Sequence, residues 1–366
     1  MARARYNESE QFITLKINNC NSHGANRERD IEKHIAQKNP SHRGHEIIRT
    51  CVESFEIAGP EGSHLCLAYE PMREPLWLLQ RRFTDWSLPL PIVKAYVLML
   101  LAGLDYLHSE CKVVHTDLKL ENILVTFEDQ EVIEDFVKVQ ADLPMQYKTD
   151  PTSRNIYRRH NDFSPLKRLQ NLPKIADFGL AARLDNREDI GIYPIQPGHY
   201  CSPEVILGCG WTFSTDIWNL GVLVWDLVER TELFRCVHDS QSCYDGKAHL
   251  AEMIALLGPP PKELLARSNA MQQYKWSNPI KNVEGKLSKK VIMVTTYITA
   301  KFLLLILLCF LHDNLIPTRQ LNDTLPSSNE KERAEILSFV SQILTWLPEE
   351  RKTARGLMEH PFLSLE

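Results

Sequence analysis

Asp117, Lys119 and Asn122 stand two and three residues apart in the run Val113-Val114-His115-Thr116-Asp117-Leu118-Lys119-Leu120-Glu121-Asn122-Ile123-Leu124. Together they are a small chemical kit. A carboxylate at 117 can orient a hydroxyl and accept its proton. An ammonium two residues on can offset the charge of a phosphate. An amide oxygen at 122 can hold a magnesium ion. The three converge only if the chain reverses between them. A surface turn with mixed charges would carry the same residue types, but the apolar runs Val113-Val114 and Ile123-Leu124 on both sides argue for a loop set between strands.

The run resembles the catalytic loop of protein kinases, H-R-D-L-K-x-x-N, at every diagnostic position except Thr116. More of the family's pattern follows in order. Lys174-Ile175-Ala176-Asp177-Phe178-Gly179-Leu180 resembles the magnesium loop; the resemblance implies that Asp177 chelates Mg2+, that Gly179 allows the backbone to turn and that Phe178 packs beneath. Tyr200-Cys201-Ser202-Pro203-Glu204 is similar to A-P-E. Ser214-Thr215-Asp216-Ile217-Trp218-Asn219-Leu220-Gly221 is similar to the start of the central helix, whose aspartate, here Asp216, accepts hydrogen bonds from the catalytic-loop backbone. Pro348-Glu349-Glu350-Arg351 supplies the arginine that pairs, buried, with Glu204. Such a pair taken alone is more often an exposed contact of little worth; its place in an ordered series reverses that expectation. His115 belongs to the same structural set.

Upstream, Lys16 in Ile13-Thr14-Leu15-Lys16-Ile17 resembles the strand lysine that grips the α- and β-phosphates. Glu28 is the expected helix partner and Glu32 the competitor, because Ile31 and Ile35 fall three and seven residues after Glu28. His64–Tyr69 followed by Glu70-Pro71-Met72 resembles the last strand and hinge. Backbone groups of Glu70 and Met72 would then bind adenine, with Leu124 beneath the ring. The implied cofactors are ATP and Mg2+.

These residues need elements to position them. A strand is expected over 12–17, a helix over 26–36, and strands over 46–54 and 64–69. Helices follow over 92–110, 214–229, 332–347 and 353–359. A small mixed unit therefore precedes a larger helical one. The expected fold is α+β, a bilobal kinase fold with a small β-rich lobe over 1–72 and a large helical lobe over 73–366. The 366 residues suffice for such a core. Hydrophobic residues at 43% and charged residues at 24% suit a soluble globular protein. A net charge of −5 gives no basic surplus for direct nucleic-acid contact and mildly favours basic partners. Nine cysteines without zinc-type spacing fit a reduced, intracellular setting, cytoplasmic with a nuclear option.

Several details resemble SR-protein kinases, particularly their fungal relatives. Thr116 replaces the arginine that commonly pairs with an activation-loop phosphate, so activity should not depend on such a phosphate. A long insertion separates Asn122 from Asp177, over 128–172; it opens acidic and helix-like and later turns basic. His312-Asp313-Asn314-Leu315-Ile316-Pro317 is similar to a late segment of that family. The resemblance implies a monomeric kinase whose partner is a protein substrate, with serine in Arg/Ser-rich RNA-processing proteins as the target and acidic grooves holding the arginines.

Two departures qualify this. Fifteen residues precede Lys16, none of them glycine, leaving room for at most one short strand. The family's glycine-rich loop, whose amides fix the γ-phosphate, has no place there. The expectation is weak ATP binding and poor turnover, with a pseudokinase-like scaffold as the alternative. The second is Val291–Leu311, apolar enough for a membrane span. Spanning would put Glu204 and Arg351 on opposite sides of a bilayer, so a translated intron is the favoured reading over a buried helix or a membrane anchor.

Overall fold

The computed structural model describes residues 2–268 and 313–364, apart from positions 7, 8, 21, 22, 61, 144, 159–162, 168, 187 and 240. The expectation for 291–311 lies outside the described residues.

The small lobe is a four-stranded antiparallel sheet in the order β1-β2-β4-β3, formed by β1 (Ala2–Tyr6), β2 (Ser9–Ile17), β3 (Glu53–Gly59) and β4 (Gly62–Tyr69). The strand ahead of Lys16 is thus a short one, and Lys16 pairs with Leu67 across the sheet. Helix α1 (His23–Ala36) lies beside it. Ala25, Glu28, Ile31, Glu32 and Ile35 are buried, a stripe at three- and four-residue spacing that defines one helix face. Both glutamates therefore point inward, and neither is solvated.

The strand expected over 46–54 does not form. His45–Ile47 is a 3-10 turn, and β3 begins only at Glu53. Three-residue bonds tighten this stretch: Ile47 N–H donates to Gly44 O and Ile48 N–H to His45 O. Ile48 then makes one parallel bridge to Ile175 of the large lobe. Ile47 and Ile48 are both buried, but Ile48 finds its partner in a distant strand and not in a sheet neighbour.

After the hinge come β5 (Glu74–Pro75), α2 (Leu76–Gln80) and α3 (Leu90–Asp105), the last continued by a π turn over Tyr106–Cys111. Lys112, at φ 57°, closes that turn in the left-handed region. The stretch Leu90–Cys111 is long and apolar enough to cross a membrane, yet Val93, Val97, Leu100, Leu101 and Leu104 are core residues with no exposed surface. Helix α5 (Ser214–Val228) packs on α3. Gly221 lets the chain at Ile343 and Leu344 close on α5, since a Cβ there would meet Ile343 Cγ2 at 2.5 Å. Beyond it lies the helix Glu330–Val340, opened by an Asn329/Glu332 capping box. It ends earlier than the expected Leu347: residues 341–343 turn back on Leu337, Phe339 and Val340 by backbone bonds.

The insertion opens, as its acidic start suggested, with a helix, α4 (Gln130–Asp142), capped by Asp129. A hairpin, β8 (Tyr147–Thr149) and β9 (Asn155–Tyr157), follows. Its root is tied to the hinge. Arg73 donates to both oxygens of Glu128 at 2.8 and 2.9 Å and to Ser164 O at 2.6 Å, with Arg73 and Glu128 side chains at 0% and 1% exposure.

Candidate active site

Two strand pairs set the site. β6 (Val113–Val114) pairs with β11 (Ala182–Arg183), and β7 (Ile123–Val125) pairs with β10 (Pro173–Ile175). The catalytic loop connects β6 to β7; the Asp177 loop connects β10 to β11. Paired strands force the two loops side by side, and Ala176 N–H donates to Asn122 O at 2.9 Å where they meet. This is how residues sixty positions apart in sequence come to share one cleft.

Within the catalytic loop, Lys119 Nζ lies 3.0 Å from Asp117 Oδ1, and Asn122 Nδ2 donates to Asp117 Oδ2 at 2.8 Å and to Asp117 O at 2.9 Å. The loop is held from below by Asp216, which is fully buried. Its carboxylate accepts from His115 N–H at 2.8 Å and Thr116 N–H at 3.0 Å, and meets His108 Nε2 at 2.9 Å. Thr116 adopts φ 67°, unusual for a β-branched residue. Three bonds hold it there: the Asp216 contact, Thr116 Oγ1 to Leu180 O at 2.8 Å, and Gln196 N–H to Thr116 O at 3.1 Å. Where the common pattern has an arginine, this chain has a short side chain tied to the following loop.

His115 Nε2 bonds Ala176 O at 3.0 Å, and its ring meets Phe178 edge-on at 5.1 Å between centroids. Phe178 is fully buried. Asp177 sits at φ 69°. The left-handed residue of this turn is therefore Asp177, and not Gly179 as expected. Gly179 has no positive φ, and a Cβ there would meet nothing nearer than Asp177 Oδ1 at 3.6 Å. Below the loops, Arg351 donates to Glu204 through both nitrogens at 2.6 and 2.7 Å, both side chains at 0% exposure. This clasp joins chain on the two sides of 269–312.

Across the cleft, Lys16 Nζ lies 2.6 Å from Glu28 Oε1 and 3.2 Å from Asp177 Oδ1. Burial alone would lower the Lys16 pKa; the Glu28 hydrogen bond and the Asp177 and Glu28 charges outweigh it and raise it. Glu32, the competitor, turns elsewhere. It accepts from Cys51 N–H at 2.8 Å and from the Tyr69 hydroxyl at 3.1 Å. Burial pushes its carboxyl up to about 7, against the pull of the Cys51 N–H.

A cavity of about 260 Å³ lies between the lobes, lined by Thr14, Lys16, Glu28, Arg49, Tyr69, Glu121, Asn122, Leu124, Ala176 and Asp177. Five of the predicted residues meet there. Glu70 and Met72 do not line it. Arg49 and Tyr69 stand at that end instead, and Arg49 Nη2 donates to Glu70 O at 3.0 Å. Sequence reasoning missed Arg49 and Tyr69, and no signal pointed to them, since residue 49 was placed inside a strand that does not form. For a metal, the Asn122 Nδ2 bonds leave its side-chain oxygen available, and Asp177 adds a carboxylate half-exposed to the cleft. Two hard oxygen donors fit Mg2+, which characteristically takes its remaining ligands from phosphate and water.

A family model described as "Protein kinase domain" matches residues 2–363. A serine/threonine protein kinase of Aspergillus fumigatus is 35% identical over 359 residues, 96% of this chain and 78% of that protein. The serine/threonine-protein kinase SRPK of Physarum polycephalum is 29% identical over 380 residues, 96% of this chain and 79% of that protein. A kinase-domain crystal structure superposes with a TM-score of 0.62 at 22% identity, covering 98% of this chain and 90% of its own, which bears on the fold. The bilobal fold and the site together define a protein kinase domain. The chain belongs to that family, with relatives among the SR-protein kinases, and is a serine/threonine protein kinase.

Proposed function

We propose that this kinase transfers the γ-phosphoryl group of ATP to serine within arginine/serine-rich segments of proteins, such as those of RNA processing. The observation that carries the transfer is the facing arrangement of two sets: Asp117, Lys119, Asn122 and Asp177 on two adjacent loops on one side, Lys16 with Glu28 on the other, the two sets meeting where Lys16 reaches Asp177. Lys16, fixed by Glu28, holds the α- and β-phosphates. Asn122 and Asp177 would hold Mg2+, which supplies positive charge to the phosphates when bound. Asp117 orients the serine hydroxyl toward the γ-phosphorus and takes its proton as the phosphorus–oxygen bond forms. Lys119 offsets the charge of the transferred group. The bond to the ADP oxygen breaks in line. A scaffold role would leave these side chains without a common task.

The arginine preference is supported by a second cleft beside the catalytic loop, about 660 Å³ in volume. Its walls include the carboxylates of Glu121 and Glu232, the cations Lys119, Arg81 and Arg230, Asp226 with the Tyr200 hydroxyl bonded to it, and the indoles of Trp77 and Trp86. Those indoles already hold a guanidinium: Arg81 lies 4.7 Å from the Trp77 ring and 5.1 Å from Trp86. Carboxylates near aromatic faces are the surroundings a substrate arginine seeks. The test is Mg-ATP phosphoryl transfer to an Arg-Ser repeat peptide, with Asp117→Asn as control and a Lys-Ser peptide beside it. Incorporation abolished in the control and at least tenfold weaker with lysine is expected. Equal labelling of both peptides would remove the arginine preference; no labelling would refute the transfer.

A further inference from the structure

Arg49 enters the nucleotide cleft from an unusual quarter. The parallel bridge from Ile48 to Ile175 and the bond from Arg49 N–H to Ile175 O at 2.9 Å fix its backbone against β10, the strand that leads to Asp177. Its side chain lines the same cavity as Lys16, Leu124 and Asp177. The guanidinium carbon stands 4.3 Å from the centre of the Tyr69 ring, and Nη2 donates to Glu70 O. Arg49 Nε is buried and has no hydrogen-bond partner. A cation with spare N–H groups thus occupies the end of the cavity nearest the hinge carbonyl.

That placement bears on which base the cavity accepts. A base seated at the Arg49 and Tyr69 end of the cavity would turn one edge toward the guanidinium. Adenine shows there an amino group and one ring acceptor, N6 and N7; guanine shows two acceptors, O6 and N7. The Glu70 carbonyl, which an amino group would seek, is already engaged by Arg49. The unused guanidinium N–H groups want acceptors, and a planar guanidinium meets two acceptors bidentately. Adenine would place a donor against a donor. We infer that Arg49 is a specificity-determining residue that makes the cavity take guanosine triphosphate at least as well as adenosine triphosphate.

The inference rests on the reading of this cavity as the nucleotide site. Its test measures binding of ATP and GTP, by competition against a fluorescent nucleotide, and kcat/KM for phosphoryl transfer with each. The proteins are the wild-type chain and Arg49→Met, which keeps an unbranched stem against Tyr69 but has no donors. The expected result is a GTP-to-ATP ratio near or above one for the wild type, falling at least tenfold in Arg49→Met, mostly through KM and the binding constants. A wild-type preference for ATP of threefold or more, or a ratio that Arg49→Met lowers by less than tenfold, would overturn it. Should the variant not fold, the wild-type ratio alone decides. Binding of both nucleotides without transfer would sink the catalytic reading and still give the base ratio. Binding of neither would overturn both.

Discussion

Replacing Glu32 by glutamine should remove a pH dependence from the stability of the small lobe. Glu32 is 1% exposed, accepts the Cys51 N–H and the Tyr69 hydroxyl, and lies one helical turn from the Glu28 carboxylate. Burial, with the Glu28 charge adding to it, pushes its carboxyl from an ordinary 4.5 up to about 7. Below about pH 4.5 the group is protonated in both folded and unfolded chain. As the pH rises toward 7 the unfolded chain surrenders the proton while the folded one keeps it, so stability falls; above 7 the loss is complete. The interval corresponds to roughly 3 kcal/mol. Glutamine retains an acceptor for Cys51 N–H and cannot ionise. Other titrating groups act in both proteins and cancel in the comparison; His249 is one, buried and held neutral with its pKa lowered to about 3, and Asp226, pushed up to about 7 by burial, is another. Urea unfolding of wild type and Glu32→Gln at intervals between pH 5 and 8 reads the difference. The gap between the two curves should move by roughly 3 kcal/mol in favour of the variant as pH rises. Parallel curves would show that the Glu32 carboxyl ionises freely in the fold and would refute the reasoning.

Two further predictions concern buried charge. Arg351→Met strands the Glu204 carboxylate and the acceptors Thr345 O and Ser214 O, and should cost about 3–5 kcal/mol in urea unfolding. Adding Glu204→Leu to it should recover much of that, whereas simple additivity of the two would show the pair is not coupled. Arg73→Met leaves Glu128 buried at the root of the insertion, and should lower the melting temperature; Arg73→Lys should not rescue it, since lysine lacks the fork that reaches Glu128 and Ser164 O together. An unchanged melting temperature in Arg73→Met would mean the insertion does not brace the hinge.

Much of the site was legible because its chemistry demands close spacing along the chain. Asp117, Lys119 and Asn122 must share one reversal of backbone, so they appear as one short run. Asp177 and Phe178 must likewise flank a single turn. Part of the inward face of α1 was legible too, as the spacing of Glu28, Ile31 and Ile35; Ala25 and Glu32 join it in the structure. The spacing of Ile31 and Ile35 pointed to Glu28 as the partner of Lys16, as the structure has it; it could not say what Glu32 would choose instead. That choice depends on where β2 sits against the helix, and it left Glu32 facing Cys51 and Tyr69.

What the amino-acid sequence by itself determined was the fold class, the order of the loops and the identity of the groups on them, because strand, turn and catalytic spacing are short-range properties. What only the tertiary structure decided was the company those groups keep. Thr116 is held at a positive φ by residues 64 and 100 positions away. Asp177, and not Gly179, takes the left-handed turn. Arg49 reaches the nucleotide cleft because Ile48 bridges to Ile175, a contact across more than a hundred residues. Such contacts are set by packing between distant strands, and no local pattern of residue types encodes them.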